Sequence, residues 1–199
     1  MTTDGQIIAD VLAGARERFE EIVRRYQLPL SRVAESRLGR QDWAEEAVQE
    51  TFYWAFKSLH TYDSQYSFRT WLWTILLNQC RRSYQRMQRR RLESAPDELL
   101  SAQEAAPAET PLARMLTQES HALLHAGLRQ LPDAQADAVR LRFFGGLKFR
   151  EIADAMDCGL STAKCRVRLG LTQLSAWIRE HAPHEADGAA TLDDTLPGV

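Results

Sequence analysis

The sequence predicts an all-α protein of two small helical domains, and three observations carry that prediction. From about Gln6 to Leu92, apolar residues recur at spacings of three and four with few helix breakers, and no stretch alternates as a half-buried strand would. The run "ESAPDELLSAQEAAPAETP" then interrupts the pattern with Pro, Ala and Glu, too polar to bury a core of its own. Helical spacing returns at "LTQESHALLHAGLRQLP" and lasts to about His181. A chain of 199 residues is long enough for two such domains, each with its own core. The expected division is residues 1–92, a flexible acidic linker at 93–118, a second domain at 119–181 and a disordered acidic tail at 182–199.

The N-terminal stretch "MTTDGQIIADVLAGARERFE" lacks the basic and apolar regions of a signal peptide. No apolar run approaches the roughly 18 residues of a membrane span, so a cytoplasmic protein is expected. Pro29 and the turn-rich "HTYDSQYS" are expected to separate the first helices. In "WAEEAVQETFYWAF", Ala44, Ala47, Val48, Thr51, Phe52 and Ala55 form one apolar stripe, leaving Glu46, Gln49, Glu50 and Tyr53 on other faces. In "SFRTWLWTILLNQCRRSYQRM", Phe68, Trp71, Leu72, Ile75 and Gln79 form the next stripe.

That helix runs into "RRSYQRMQRRR", residues 81–91, which hold six arginines in a chain of formal net charge −2. Acidic residues dominate 93–119, the stretch from Leu131 to Ile178 turns basic again, and the tail is acidic. Two basic modules with acidic segments after each suit a protein that binds a polyanion through its modules and not its linkers.

The C-terminal module carries the sharpest local signal, "FREIADAMDCGLSTAKCRVRLGLTQLSAWI". A short helix turns Ile152, Ala153 and Met156 inward, a break follows at Asp157-Cys158-Gly159, and a second helix is expected to start with Ser161 as N-cap. This is the helix-turn-helix pattern, whose second helix lies in the DNA major groove. A helical wheel places Ala163, Val167, Leu171, Leu174 and Ile178 in the core. Thr162, Cys165, Arg166, Leu169 and Arg168 face outward, with Lys148, Arg150 and Lys164 flanking as phosphate contacts. Gly170 is read as a site of close packing.

Nothing in the sequence supports an enzyme. His121 and His125 in "HALLH" have the i,i+4 spacing of a helix metal pair but no adjacent Glu, and are read as ordinary surface or interface histidines. There is no Gly-rich phosphate loop. Cys80, Cys158 and Cys165 are too few and scattered for a disulfide framework or a metal knuckle. No catalytic residue, metal, cofactor or small-molecule substrate is expected.

Taken in order, "AEEAVQETFYWAF", "FRTWLWTILLNQCRRSYQR" and "LRQLPDAQADAVRLRFFGGLKFREIADAMDCGLSTAKCRVR" resemble the extracytoplasmic-function (ECF) sigma factors of bacteria, over roughly residues 16–92 and 120–180. The resemblance implies sigma region 2 and region 4 on a flexible linker, binding to core RNA polymerase through its β′ clamp helices and β flap, and recognition of promoter DNA. It implies polymerase contact through Glu46, Gln49, Glu50 and Tyr53. The minus-ten element falls to Asn78, Arg81, Arg82, Tyr84, Arg86 and Arg89, with Asn78 placed to read a base flipped from the stack. The minus-thirty-five element falls to Lys148, Arg150, Ser161, Thr162, Lys164, Cys165, Arg166 and Arg168. The family often has Gly where this chain has Asp157, a residue that tolerates left-handed geometry better than most. An anti-sigma partner, often membrane-anchored, is also implied. From the residues alone, a conventional helix-turn-helix regulator acting without stable polymerase association stays open.

Overall fold

The computed structural model describes residues 2–64, 66–93 and 111–182, and all regular structure among them is helical. The elements are α1 (Asp4–Leu12), α2 (Phe19–Leu38), α3 (Gln41–Lys57), α4 (Phe68–Glu93), α5 (Pro111–Gln130), α6 (Asp133–Phe143), α7 (Phe149–Ala155) and α8 (Leu160–His181). Residues 94–110 of the expected linker and the tail beyond Ala182 lie outside the described residues. Helix α5 begins at Pro111, so the helical pattern starts within the stretch read as linker.

In the N-terminal half, Thr3 caps α1 by accepting the Gln6 N–H, and Gly39, at φ +68°, closes α2 in the left-handed conformation. Pro29 does not separate helices: it lies inside α2. Ile22, Tyr26, Leu30 and Val33 keep one buried stripe on either side of it. That burial outweighs a proline penalty of about 3 kcal/mol. On α3, Ala44, Ala47, Val48, Thr51 and Ala55 are buried as the periodicity predicts, and Phe52 packs against them. Small residues there let α2 and α4 both approach α3 closely.

Helix α4 is buried more widely than its predicted stripe. Trp73, Leu76, Leu77 and Cys80 join Phe68, Leu72 and Gln79 in the interior. The added residues are covered because α7 packs on α4 and α6 packs on α2. One apolar core therefore runs from Ile22, Leu30 and Leu72 through to Leu141, Leu147 and Ile152, with a smaller cluster of Leu128, Leu131, Val139 and Leu174 beside it.

In the C-terminal half, α7 and α8 form the expected hairpin. Asp157 sits at φ +48°, the non-glycine residue with positive φ among those described. Two details of the sequence reading are corrected. The N-cap position of α8 is Gly159, in extended conformation, and Ser161 lies in the first turn. Leu171 is 39% exposed, and buried Gly170 takes its place in the stripe with Ala163, Val167 and Leu174. A Cβ on Gly170 would lie 2.8 Å from Val139 Cγ2 and 3.2 Å from the Gln135 carbonyl. Helix α8 leans on α6 at that point, which rotates the core face by one residue. Because only the backbone geometry constrains exposed Asp157, Asp157→Ile is expected to cost about 1–2 kcal/mol in chemical denaturation, whereas Asp157→Gly is tolerated.

Candidate functional site

The predicted site residues fall on two solvent-facing surfaces. The first is built by α3 and α4. The stripe that buries Ala44 and Ala47 turns Glu46, Gln49, Glu50 and Tyr53 away from the core. Glu50 Oε2 accepts the indole N–H of Trp54 at 2.9 Å, and Tyr53 meets Trp54 edge-on with Lys57 over both rings. This exposed aromatic–cation cluster of Tyr53, Trp54 and Lys57 extends the ridge beyond the residues that sequence alone singled out.

The arginine run divides between two jobs. Arg86 pairs with Glu46 at 2.8 Å and donates to Ser83 Oγ, and both Arg86 and Arg90 lie over the Trp43 ring. Trp43 was not picked out by sequence reading, since its partners lie more than forty residues downstream. Arg81, Arg82 and Arg89 stay exposed, and Arg81 donates to Asn78 Oδ1 at 3.0 Å. Asn78 is thereby held on the outer face of α4, its amide oriented by a guanidinium. Tyr84 is exposed and its hydroxyl accepts from Gln88. Between the helices, Glu50 and Trp54 face Arg82, Arg86 and Arg89 across an open groove. The surface thus offers anion-binding guanidiniums beside a polar and aromatic ridge.

The second surface is the start of α8. Ser161, Thr162, Lys164 and Arg168 are exposed and Cys165 and Arg166 half-buried. Ser161, Lys164, Cys165 and Arg168 line one shallow depression. Lys148 and Arg150 are exposed at the start of α7, where Glu151 accepts the Lys148 backbone N–H at 2.7 Å and fixes the first turn. Donors with hydroxyls at the mouth of a long helix suit contact with phosphates and base edges.

His125 packs its ring on Phe144, and burial holds its pKa below the ordinary value. Among the described residues no group of His, Cys, Asp or Glu is arranged to hold a metal. The cysteines are free thiols, and burial pushes that of Cys80 up to about 12, which leaves it unreactive. No described helix is long and apolar enough to cross a membrane.

Residues 22–91 match Sigma-70 region 2 and residues 121–174 match Sigma-70, region 4. The ECF RNA polymerase sigma factor SigE of Mycolicibacterium smegmatis is 30% identical over 177 residues, covering 88% of this chain and 67% of the relative. The chain belongs to the ECF sigma factors. Within that family, the ECF RNA polymerase sigma-E factor of Haemophilus influenzae is 29% identical over 174 residues, covering 83% of this chain and 89% of its own length. Two solved structures share the fold. CnrH in complex with the cytosolic domain of CnrY has a TM-score of 0.66 at 23% identity, covering 87% of this chain and 96% of that one. The sigma factor RpoE bound to the anti-sigma factor NepR, from Bartonella quintana, has a TM-score of 0.64 at 22% identity, covering 81% and 96%. The first surface described above lies within the residues that match region 2 and the second within those that match region 4.

Proposed function

We propose that this ECF sigma factor binds core RNA polymerase and directs it to promoters carrying minus-ten and minus-thirty-five elements, acting as an initiation factor in the cytoplasm with no catalytic activity of its own. The carrying observation is the order of surfaces along one chain: an acidic–aromatic ridge, an arginine-rich helix with an oriented amide, then a helix-turn-helix. Glu46, Gln49, Glu50 and Tyr53, with Trp54, form the polymerase-facing ridge. Asn78 with Arg81, Arg82, Tyr84 and Arg89 serves the minus-ten element, where the guanidiniums neutralise phosphates and the amide reads an unstacked base. Arg86 acts indirectly, by bracing Glu46 and Trp43. Lys148, Arg150, Ser161, Thr162, Lys164, Cys165, Arg166 and Arg168 serve the minus-thirty-five element. An anti-sigma protein as partner is supported by the complexes that CnrH and RpoE form with CnrY and NepR.

Gel filtration of the chain with core polymerase and a promoter fragment tests this reading. The proposal expects all three to co-elute and the fragment to be retained poorly by the chain alone. Tight, specific retention by the chain alone, with none on the polymerase, sinks it in favour of a conventional regulator.

A further inference from the structure

The outward face of α8 has an apolar centre inside a basic frame. Its buried stripe is Ala163, Val167, Gly170 and Leu174. At about 100° per residue, Cys165 projects almost directly opposite that stripe, and Leu169 follows one turn later on the same face. Leu169 is 42% exposed. Cys165, a free thiol, lies half-buried in the depression that it shares with Ser161, Lys164 and Arg168. Lys164 and Arg168 flank the Cys165–Leu169 line on one side, and Thr162 and Arg166 flank it on the other. From Leu160 to Ile178 the helix carries no carboxylate. The frame around the two apolar side chains is therefore rich in donors, and its lysine and arginines cannot accept.

We propose that Cys165 and Leu169 read the 5-methyl group of thymine in the minus-thirty-five element, so that this apolar line determines sequence specificity and Leu169 joins the residues that face DNA. The proposal rests on the sigma-factor function given above. The cations fix the kind of partner, since a face framed by Lys164, Arg166 and Arg168 without a carboxylate is complementary to phosphate. A helix seated in the major groove turns the residues opposite its core toward the base edges, and here those are a thiol and an isobutyl group. In that groove thymine alone presents an apolar group, its C5 methyl, beside the O4 acceptor. The methyl rests on Cys165 or Leu169 while Ser161, Lys164 or Arg168 donates to O4. Cytosine lacks the methyl and sets an N4 donor against side chains that only donate. Guanine and adenine leave the thiol and Leu169 with no apolar partner. Four residues of helix separate Cys165 from Leu169 by about 6 Å along the axis, which matches one to two base-pair steps of about 3.4 Å. One or two thymines, on either strand, are therefore read.

Removal of single methyl groups from the DNA tests this directly. Holoenzyme assembled from core polymerase and the full chain is titrated under reducing conditions with promoter fragments in which each thymidine of the minus-thirty-five element is replaced in turn by deoxyuridine. One or two positions are expected to bind about fourfold more weakly, the effect of one buried methyl. Cys165→Ser, which keeps the size and removes the apolar sulfur, is expected to bring the thymine-to-uracil ratio at one of them to about one and to leave the other positions as they were. Leu169→Ala is expected to do the same at the neighbouring position. An element in which no thymine is sensitive to loss of its methyl overturns the proposal. So does an unchanged ratio in both variants, or a loss spread evenly over all fragments, which marks a general fault in folding or docking. If core polymerase confers no promoter binding at all, the sigma-factor reading has failed. The same substitutions, on whatever fragments the chain retains by itself, then decide whether Cys165 and Leu169 read methyl groups.

Discussion

A chain carrying Glu50→Arg is expected to lose at least tenfold in transcription with core polymerase, about 1.4 kcal/mol of binding, while its melting temperature stays within a degree or two. Glu50 lies on the ridge of α3 and bonds the Trp54 indole, opposite Arg82, Arg86 and Arg89. Reversing its charge sets a fourth guanidinium against three and frees Trp54 from its orientation. Both changes fall on the surface assigned to the polymerase, and neither touches the core. Glu50→Gln separates the two effects, since the amide oxygen still accepts the Trp54 N–H; most activity should survive there if orientation matters more than charge. Undiminished transcription by Glu50→Arg removes this ridge from the polymerase interface.

Trp73→Ala should be the most damaging single truncation for stability. Its ring is fully buried in the core that joins the two halves, against Gly145. Replacement of such an indole costs about 3–5 kcal/mol in lost burial and residual cavity. For a protein of this size that corresponds to a fall of roughly 10 °C in thermal unfolding. Truncation of Trp54, a third exposed, has no comparable cavity and should move the midpoint far less. Equal effects from the two substitutions, measured by calorimetry, contradict the placement of Trp73 in a shared core.

How far the sequence reveals this molecule depends on whether a residue's surroundings are local. Helix α3 was legible because it is buried along one stripe, so Ala44, Ala47 and Thr51 repeat at helical spacing and Glu46, Gln49 and Tyr53 fall outside it. Helix α4 was only half legible. Trp73, Leu76, Leu77 and Cys80 repeat at spacings of three and four beside the expected stripe, so two adjoining faces of α4 are apolar, and that both are interior follows from the packing of the C-terminal helices on this half. Pro29 misleads for the same reason, as burial on both sides of it overrides the local rule. Leu171 was misplaced because the wheel gave glycine no weight, whereas Gly170 is where α6 comes nearest. Asp157 was read correctly, since left-handed geometry at a tight break is a backbone requirement.

The site shows the same division. The charge at 81–91 and the helix-turn-helix were plain from composition and spacing. The allotment of the arginines was not: Arg86 and Arg90 are drawn to Trp43, whose place beside them is set by the α3–α4 packing. Arg37, Asp137 and Arg140 look like ordinary surface charges in sequence and become a buried cluster only once α2 and α6 meet.

The most direct test of the central claim is transcription in vitro from a pool of genomic promoter fragments, comparing core polymerase alone with core polymerase plus this chain. The account predicts discrete new transcripts that share upstream elements near minus ten and minus thirty-five and that fall at least tenfold with Asn78→Ala. A protein that binds specific fragments by itself yet yields no new transcript with polymerase contradicts it.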